Sequence, residues 1–158
     1  MTSTTTTSTT TSTTSDTARP GRSLEDRNLR TIGQVYEAFG RGDVAAILEQ
    51  VSPDVHWEFG TPDHGIPWLR EGRGREHVAR FFGALGENLE FQDLEPLAIL
   101  AEGDWVVALI RLSAVHKITK KPLHEACEAH IWRFDAAGRI VAIRHGADTA
   151  SHLAAMTP

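Results

Sequence analysis

Hydrophobic periodicity changes once along this chain, near residue 88, and that change restricts the folds open to it. Before it, apolar residues recur every three or four positions. Ile32, Val35, Tyr36 and Phe39 fall on one helical face, as do Val44, Ile47, Leu48 and Val51, and then Val78, Phe81, Phe82 and Leu85. Beyond residue 88 the period is two, and residues 89–100, 104–116, 123–134 and 139–145 read as strands. The joints between them are Glu102-Gly103-Asp104, residues 119–122 and Asp135-Ala136-Ala137-Gly138, too short for anything but antiparallel neighbours. Pro96 marks an edge or a bulge in the first of these strands.

Punctuation sets the remaining elements. Ser23 is placed to cap the first helix, with Glu25 and Asp26 in its first turn, and Gly40-Arg41-Gly42 ends it. Asp43 caps the second helix, and Ser52-Pro53-Asp54 reads as a turn before a short strand at residues 55–59. A Gly/Pro-rich loop spans residues 60–73, Gly74 opens the third helix, and Asp148 caps a last turn running to residue 156. Three helices with one inserted strand, followed by a four-strand meander, define an α+β fold. The expected shape is a cone-shaped barrel: a strongly curved antiparallel or mixed sheet with the three N-terminal helices on its concave face. Such a cone encloses a pocket for a small apolar molecule.

Composition fixes the outline. The 158 residues suit a single domain. Residues 2–15 are all Thr or Ser and have nothing apolar to bury, so 1–22 reads as a disordered tail and 23–158 as the domain. The net charge is -5, with no basic run, which excludes nucleic acid and anionic membrane as expected partners. The longest apolar stretch, residues 105–110, is too short to cross a bilayer. Cys127 is the only cysteine, so the expected setting is reducing and cytoplasmic, and no basic and apolar leader opens the chain.

Several side chains could carry chemistry. His145 shares a strand face with Val141 and Ile143 and so points inward; a histidine there titrates near neutral pH. Glu128, His130 and Trp132 share another face, where the carboxylate would orient the imidazole, but Cys127, Ala129 and Ile131 opposite are also apolar, so the inner face stays open. Arg111 interrupts an apolar strand; it either meets Glu128 and binds a substrate oxygen or makes an outer ion pair. Asp63, beside His64 in the long loop, is either a mobile acid or base or a turn residue. Tyr36, Trp57, Phe59, Trp68, Phe82 and Trp132 are the expected pocket lining. No metal site and no cofactor is expected: His-Glu-x-x-His is missing, His124, Glu128 and His130 only approach a ligand spacing, and Gly72-Arg73-Gly74 lacks the rest of a phosphate loop.

The element order, and three local runs, resemble the nuclear transport factor 2-like superfamily, in particular its SnoaL-like and ketosteroid-isomerase-like groups. The runs are Tyr36-Glu37-Ala38-Phe39 with Gly42-Asp43; Gly74-Arg75-Glu76 leading to Phe81-Phe82; and Trp132-Arg133-Phe134-Asp135 with Gly138-Arg139-Ile140-Val141, ending at Asp148. The resemblance implies an inward His130, and a homodimer through the outer face of the sheet is the expected assembly. The resemblance also implies departures. The isomerases' catalytic Asp falls on Phe59, with Glu58 beside it; their first-helix Tyr falls on Val35, one place before Tyr36; their second oxyanion donor falls on His130. The SnoaL-like acid/base Asp falls on His145, and an epoxide-hydrolase pattern keeps Arg111 while Ser113 and His145 replace its carboxylates. Steroid isomerisation is therefore not expected. The expected function is acid/base isomerisation, cyclisation or elimination of a polyketide-like or terpenoid-like carbonyl compound without a cofactor; a non-catalytic ligand-binding or dimerisation module, and an epoxide hydrolase, are the other readings.

Overall fold

The computed structural model describes residues 20–158, so the expected tail lies outside the described residues except for its last three positions. Helix α1 (Pro20–Gly40) already includes Ser23, which is therefore a helical residue and not the expected cap. A left-handed Gly42 ends the turn after it, and the Asp43 carboxylate accepts the Ala46 N–H at 3.0 Å to start α2 (Val44–Gln50). Strand β1 (Val51–Trp57) follows at once. The expected Ser52-Pro53-Asp54 turn is instead an irregularity inside β1: its ladder to the neighbouring strand jumps from Val51↔Ile140 to His56↔Ala142. The turn-forming residues are real, and they bulge the strand without ending it.

Past a loop come β2 (Gly72–Arg73), α3 (Arg75–Asn88) with Gly74 at its N-cap, and the meander β3 (Leu89–Glu102), β4 (Trp105–His116), β5 (Pro122–Phe134) and β6 (Ile140–Gly146). Helix α4 (Thr149–Met156) closes the chain, with the Asp148 carboxylate accepting from Ala150 N and Ser151 N. The six strands lie in the order β2-β1-β6-β5-β4-β3. The meander is antiparallel throughout, whereas β1 runs parallel to β6 and makes the sheet mixed. The sheet is not closed, since β2 and β3 are its edges. Pro96 sits on the β3 edge next to a register shift, the two settings a strand proline tolerates. No described helix is long and apolar enough to cross a membrane.

One register shift positions the interior. In β5, Glu128 pairs with Ile110 and Glu125 pairs with Leu112, so Ala126 and Cys127 together oppose Arg111. This two-against-one bulge resets the alternation. Leu123 and Glu125 on one side of it, and Glu128, His130, Trp132 and Phe134 on the other, are all buried, while Ala126 and Cys127 are exposed. Two glutamates an odd number of places apart therefore share the concave face, which a regular strand forbids.

Candidate active site

The concave face and the helices enclose a cavity of ≈ 660 Å³, its open mouth included. Tyr36, Trp57, Trp68, Phe82 and Trp132 line it, and its polar lining is Glu128, His130, His145 and His152. No lysine or arginine is among the lining residues. The loop after β1 contributes more than a rim, because Ile66, Trp68 and Leu69 are buried in the core.

His145, near the end of β6, is fixed by a carboxylate from the end of β1. Glu58 has φ 54, a left-handed backbone that breaks the strand's alternation, so Trp57 and Glu58 are both buried although they are neighbours. The Nδ1–H of His145 donates to Glu58 Oε1 through a short contact. Glu58 Oε2 also accepts the His145 backbone N–H at 3.3 Å and the Thr61 hydroxyl at 3.4 Å. Phe81 stacks on the imidazole with 5.4 Å between ring centroids. Burial alone would pull the His145 pKa down, but the charge of Glu58 and its hydrogen bond outweigh burial and raise it above the usual histidine value.

His130, on β5, meets His145 edge to face at 4.4 Å. Its Nδ1 lies 2.8 Å from the Tyr36 hydroxyl and its Nε2 lies 3.4 Å from Glu128 Oε1. A neutral ring that directs Nε2–H at the carboxylate accepts the Tyr36 proton at Nδ1. Burial, and then the positive charge of His145, lower the His130 pKa. Burial pushes Glu128 up, but its contact with His130 and the imidazoles of His145 and His152 prevail and hold it at about 2. Burial drives the Tyr36 phenol far above its ordinary value, so it stays protonated. Two adjacent imidazoles thus have pKa values pushed in opposite directions.

A second buried network adjoins the first. The Trp68 indole N–H donates to His152 Nδ1 at 3.1 Å, His152 Nε2 lies 3.2 Å from Glu125 Oε1, and that oxygen accepts the Asp148 N–H at 2.7 Å. Metal-ligating atoms come together in both places: those of Glu128, His130 and His145 lie within 4.8 Å of one another, and so do those of Glu125, Glu128 and His152. His124 belongs to neither group, since the β5 bulge leaves it on the outer face, bonded to Ser113 at 3.1 Å.

The structure takes three candidates out of the site: Arg111 and Asp63 follow the non-catalytic of their two readings, and Phe59 is corrected as a lining residue. Arg111 is exposed and pairs with Glu95 on β3, because Ile110 and Leu112 on either side of it take the inner face of β4. Asp63 is exposed, and its carboxylate accepts the Gly65 N–H at 2.8 Å, the turn role open to it. Phe59 does not line the cavity; the left-handed Glu58 swings it outward to lie 6.3 Å from the Trp105 ring. With Arg111 outside, the arginine–carboxylate pattern of an epoxide hydrolase is not assembled in the cavity. The sequence reading missed Glu58, Glu125 and His152. A buried-type run, Trp57-Glu58-Phe59 ahead of Gly60, was the signal available for the first of them.

The family model of the SnoaL-like domain matches residues 32–143. No curated protein matches the chain significantly. Among solved structures, an NTF2-like protein of unknown function from Burkholderia pseudomallei is 26% identical with a TM-score of 0.74, over 84% of this chain and 98% of that one. An NTF2-like protein from Burkholderia thailandensis is 28% identical with a TM-score of 0.72, over 83% and 98%. An LEH-like epoxide hydrolase from M. tuberculosis, 15% identical with a TM-score of 0.62 over 84% and 93%, shares the fold alone.

Proposed function

The chain belongs to the SnoaL-like family, and from that premise we propose that it is a general acid/base enzyme acting on a small, neutral, apolar carbonyl compound of the polyketide or terpenoid type. The observation that carries this reading is the pair of imidazoles 4.4 Å apart, one raised by Glu58 and the other lowered by burial. Neighbouring groups whose environments drive their pKa values apart divide into acid and base. His145, protonated and backed by Glu58, presents Nε2–H to the substrate carbonyl oxygen. His130 takes the proton from the α-carbon on Nε2, in the tautomer whose Nδ1–H donates to the Tyr36 hydroxyl oxygen, and the Glu128 carboxylate beside it stabilises the imidazolium that forms. The C–H electrons form the enol C=C bond while the carbonyl oxygen gains the proton of His145. Return of a proton to a different carbon gives isomerisation; attack of the enol carbon on a second carbonyl gives cyclisation. The oxyanion role foreseen for Arg111 passes to His145. An apolar lining without lysine or arginine favours a substrate neutral in its ground state.

The test is hydrogen exchange. A panel of cyclic ketones and diketones is first screened for binding by thermal shift. NMR in D2O then follows loss of the α-proton signal of each compound that binds. Wild type is expected to catalyse exchange, and His145→Ala to lower the rate by about 10²–10⁴-fold, the usual worth of a positioned acid or base. Ligands that bind tightly yet never exchange with wild type would leave a binding module in place of an enzyme.

A further inference from the structure

The two clusters of metal-ligating atoms differ in one chemical detail that decides between them. In the Glu125–Glu128–His152 group, the Trp68 indole N–H donates to His152 Nδ1 at 3.1 Å. Nδ1 is therefore an acceptor, the ring proton sits on Nε2, and that nitrogen has no lone pair to offer. In the Glu128–His130–His145 group the relation is reversed. His145 donates Nδ1–H to Glu58, which leaves Nε2 free to ligate and supplies the carboxylate support that metal-bound histidines commonly have. Tyr36, 2.8 Å from His130 Nδ1, can accept an N–H there as well as donate to the bare nitrogen, so His130 Nε2 can carry a lone pair too.

Geometry agrees. His130 Nε2 and Glu128 Oε1 are 3.4 Å apart, a long contact for a carboxylate and its donor. Two ligands of a tetrahedral Zn²⁺, each at ~2.0–2.1 Å, are separated by about 3.4 Å. All three residues line the cavity, Glu128 and His130 being 3% and 6% exposed. The β5 bulge keeps Cys127, the softest donor of the chain, on the outside, so the ligands are two imidazoles and one carboxylate.

We propose that His130, His145 and Glu128 form a binding site for one divalent transition-metal ion of the Zn²⁺ or Co²⁺ class, with Glu58 and Tyr36 orienting the two imidazoles. The ion and a catalytic proton compete for the same nitrogen of His145, so the metal-loaded protein does not carry out the proton transfer described above. Metal occupancy is in this sense an inhibitory control on the site.

The experiment uses the full chain, stripped with a chelator and dialysed. Zn²⁺ is titrated by calorimetry and Co²⁺ by its visible absorption, with tryptophan emission recorded in parallel. One equivalent is expected to bind. His145→Ala and Glu128→Gln are each expected to weaken it at least tenfold, and Glu58→Gln by about 10–100-fold, the usual cost of losing a ligand's supporting partner. His124→Ala and Cys127→Ser, which alter exposed donors, are expected to change nothing. Binding that survives His145→Ala, that is lost with His124→Ala, or that never occurs in wild type overturns the proposal. Should the site variants fail to fold, wild type still decides. Trp57 lies 6.3 Å from His145 and Trp132 lies 6.3 Å from His130, so Co²⁺ in the cavity must quench emission up to one equivalent. Binding without quenching places the ion elsewhere and also overturns the proposal. None of these readouts depends on a substrate, so the outcome is separate from that of the exchange assay.

Discussion

Glu58 occupies a backbone conformation that costs a non-glycine residue about 1–3 kcal/mol. The hydrogen bond that its carboxylate accepts from His145 Nδ1–H contributes about the same, roughly 1.5–3 kcal/mol for a charged partner. The two nearly cancel, so stability alone gives little reason for a glutamate there, and its effect on the imidazole gives a better one. Glu58→Ala keeps the strained backbone and removes the acceptor. Urea unfolding is expected to show a loss of about 1–3 kcal/mol, and Glu58→Gly a smaller loss because the backbone strain is relieved. Tyr36→Phe removes the partner of His130 Nδ1 and leaves the apolar ring in place. Its expected cost is about 1 kcal/mol in the same measurement, with a larger effect on proton exchange than on ligand binding. At this scale the sequence was partly legible. His145 could be placed by period two, whereas the inward side of His130 came from the resemblance, because both faces of its strand are apolar. Glu58 could not be placed, because the rule that neighbours in a strand face opposite ways fails at a left-handed residue.

Among the elements, β5 carries the most information. Its bulge is invisible to a count of alternating residues: Cys127, Ala129 and Ile131 look as apolar as Glu128, His130 and Trp132, and hydrophobicity alone left the inner face undecided. Pairing with β4 and β6 decides it, and pairing is a property of three strands together. Deleting Cys127 would remove the extra residue and turn Leu123 and Glu125 outward. The expected outcome is a lower melting temperature and loss of the Glu125 contact with the Asp148 N–H, read as faster hydrogen exchange at the start of α4. Helix α4 has its own dependence on Asp148. Hydrogen bonds, first from the Ser151 side chain and then from backbone N–H groups, hold the Asp148 carboxyl below its usual 3.8. Its contribution is therefore complete above pH 3.8 and disappears as pH falls through the lower folded value. Asp148→Ala is expected to abolish this acid-range loss of α4 protection by removing the cap at every pH. The caps and turns around Asp43, Gly74 and Asp148 were legible because they depend on local chemistry. Ser52-Pro53-Asp54 was misread, since a turn-forming sequence held by neighbouring strands becomes a bulge.

For the molecule as a whole, the order of elements and the change of period near residue 88 were enough to anticipate an α+β cone around a cavity. The joining of β1 in parallel beside β6, which brings Glu58 to His145, was not, because no local signal reports which strands are neighbours across the 87 residues between those two positions. The cavity sets a size limit that can be tested. Phe82 packs with Phe39, Trp57 and Phe81 at its wall. Phe82→Ala is expected to cost about 1–3 kcal/mol, since the ring is only partly buried, and the ligands that stabilise the variant in thermal-shift assays should move towards bulkier ring systems. If the variant prefers the same small ligands as wild type, the wall at Phe82 does not set the size of what the cavity accepts.

The left-handed turn at Glu58 has a meaning for anyone who lines this chain up against its relatives. Counted column by column, the place where an isomerase carries its acid holds Phe59 and reads as vacated. In space, the Glu58 carboxylate, one column earlier, is turned into the core and holds His145 from behind the cavity wall. A single backbone dihedral turns a carboxylate inward to support the cavity's histidine, and a table of matched positions does not show it.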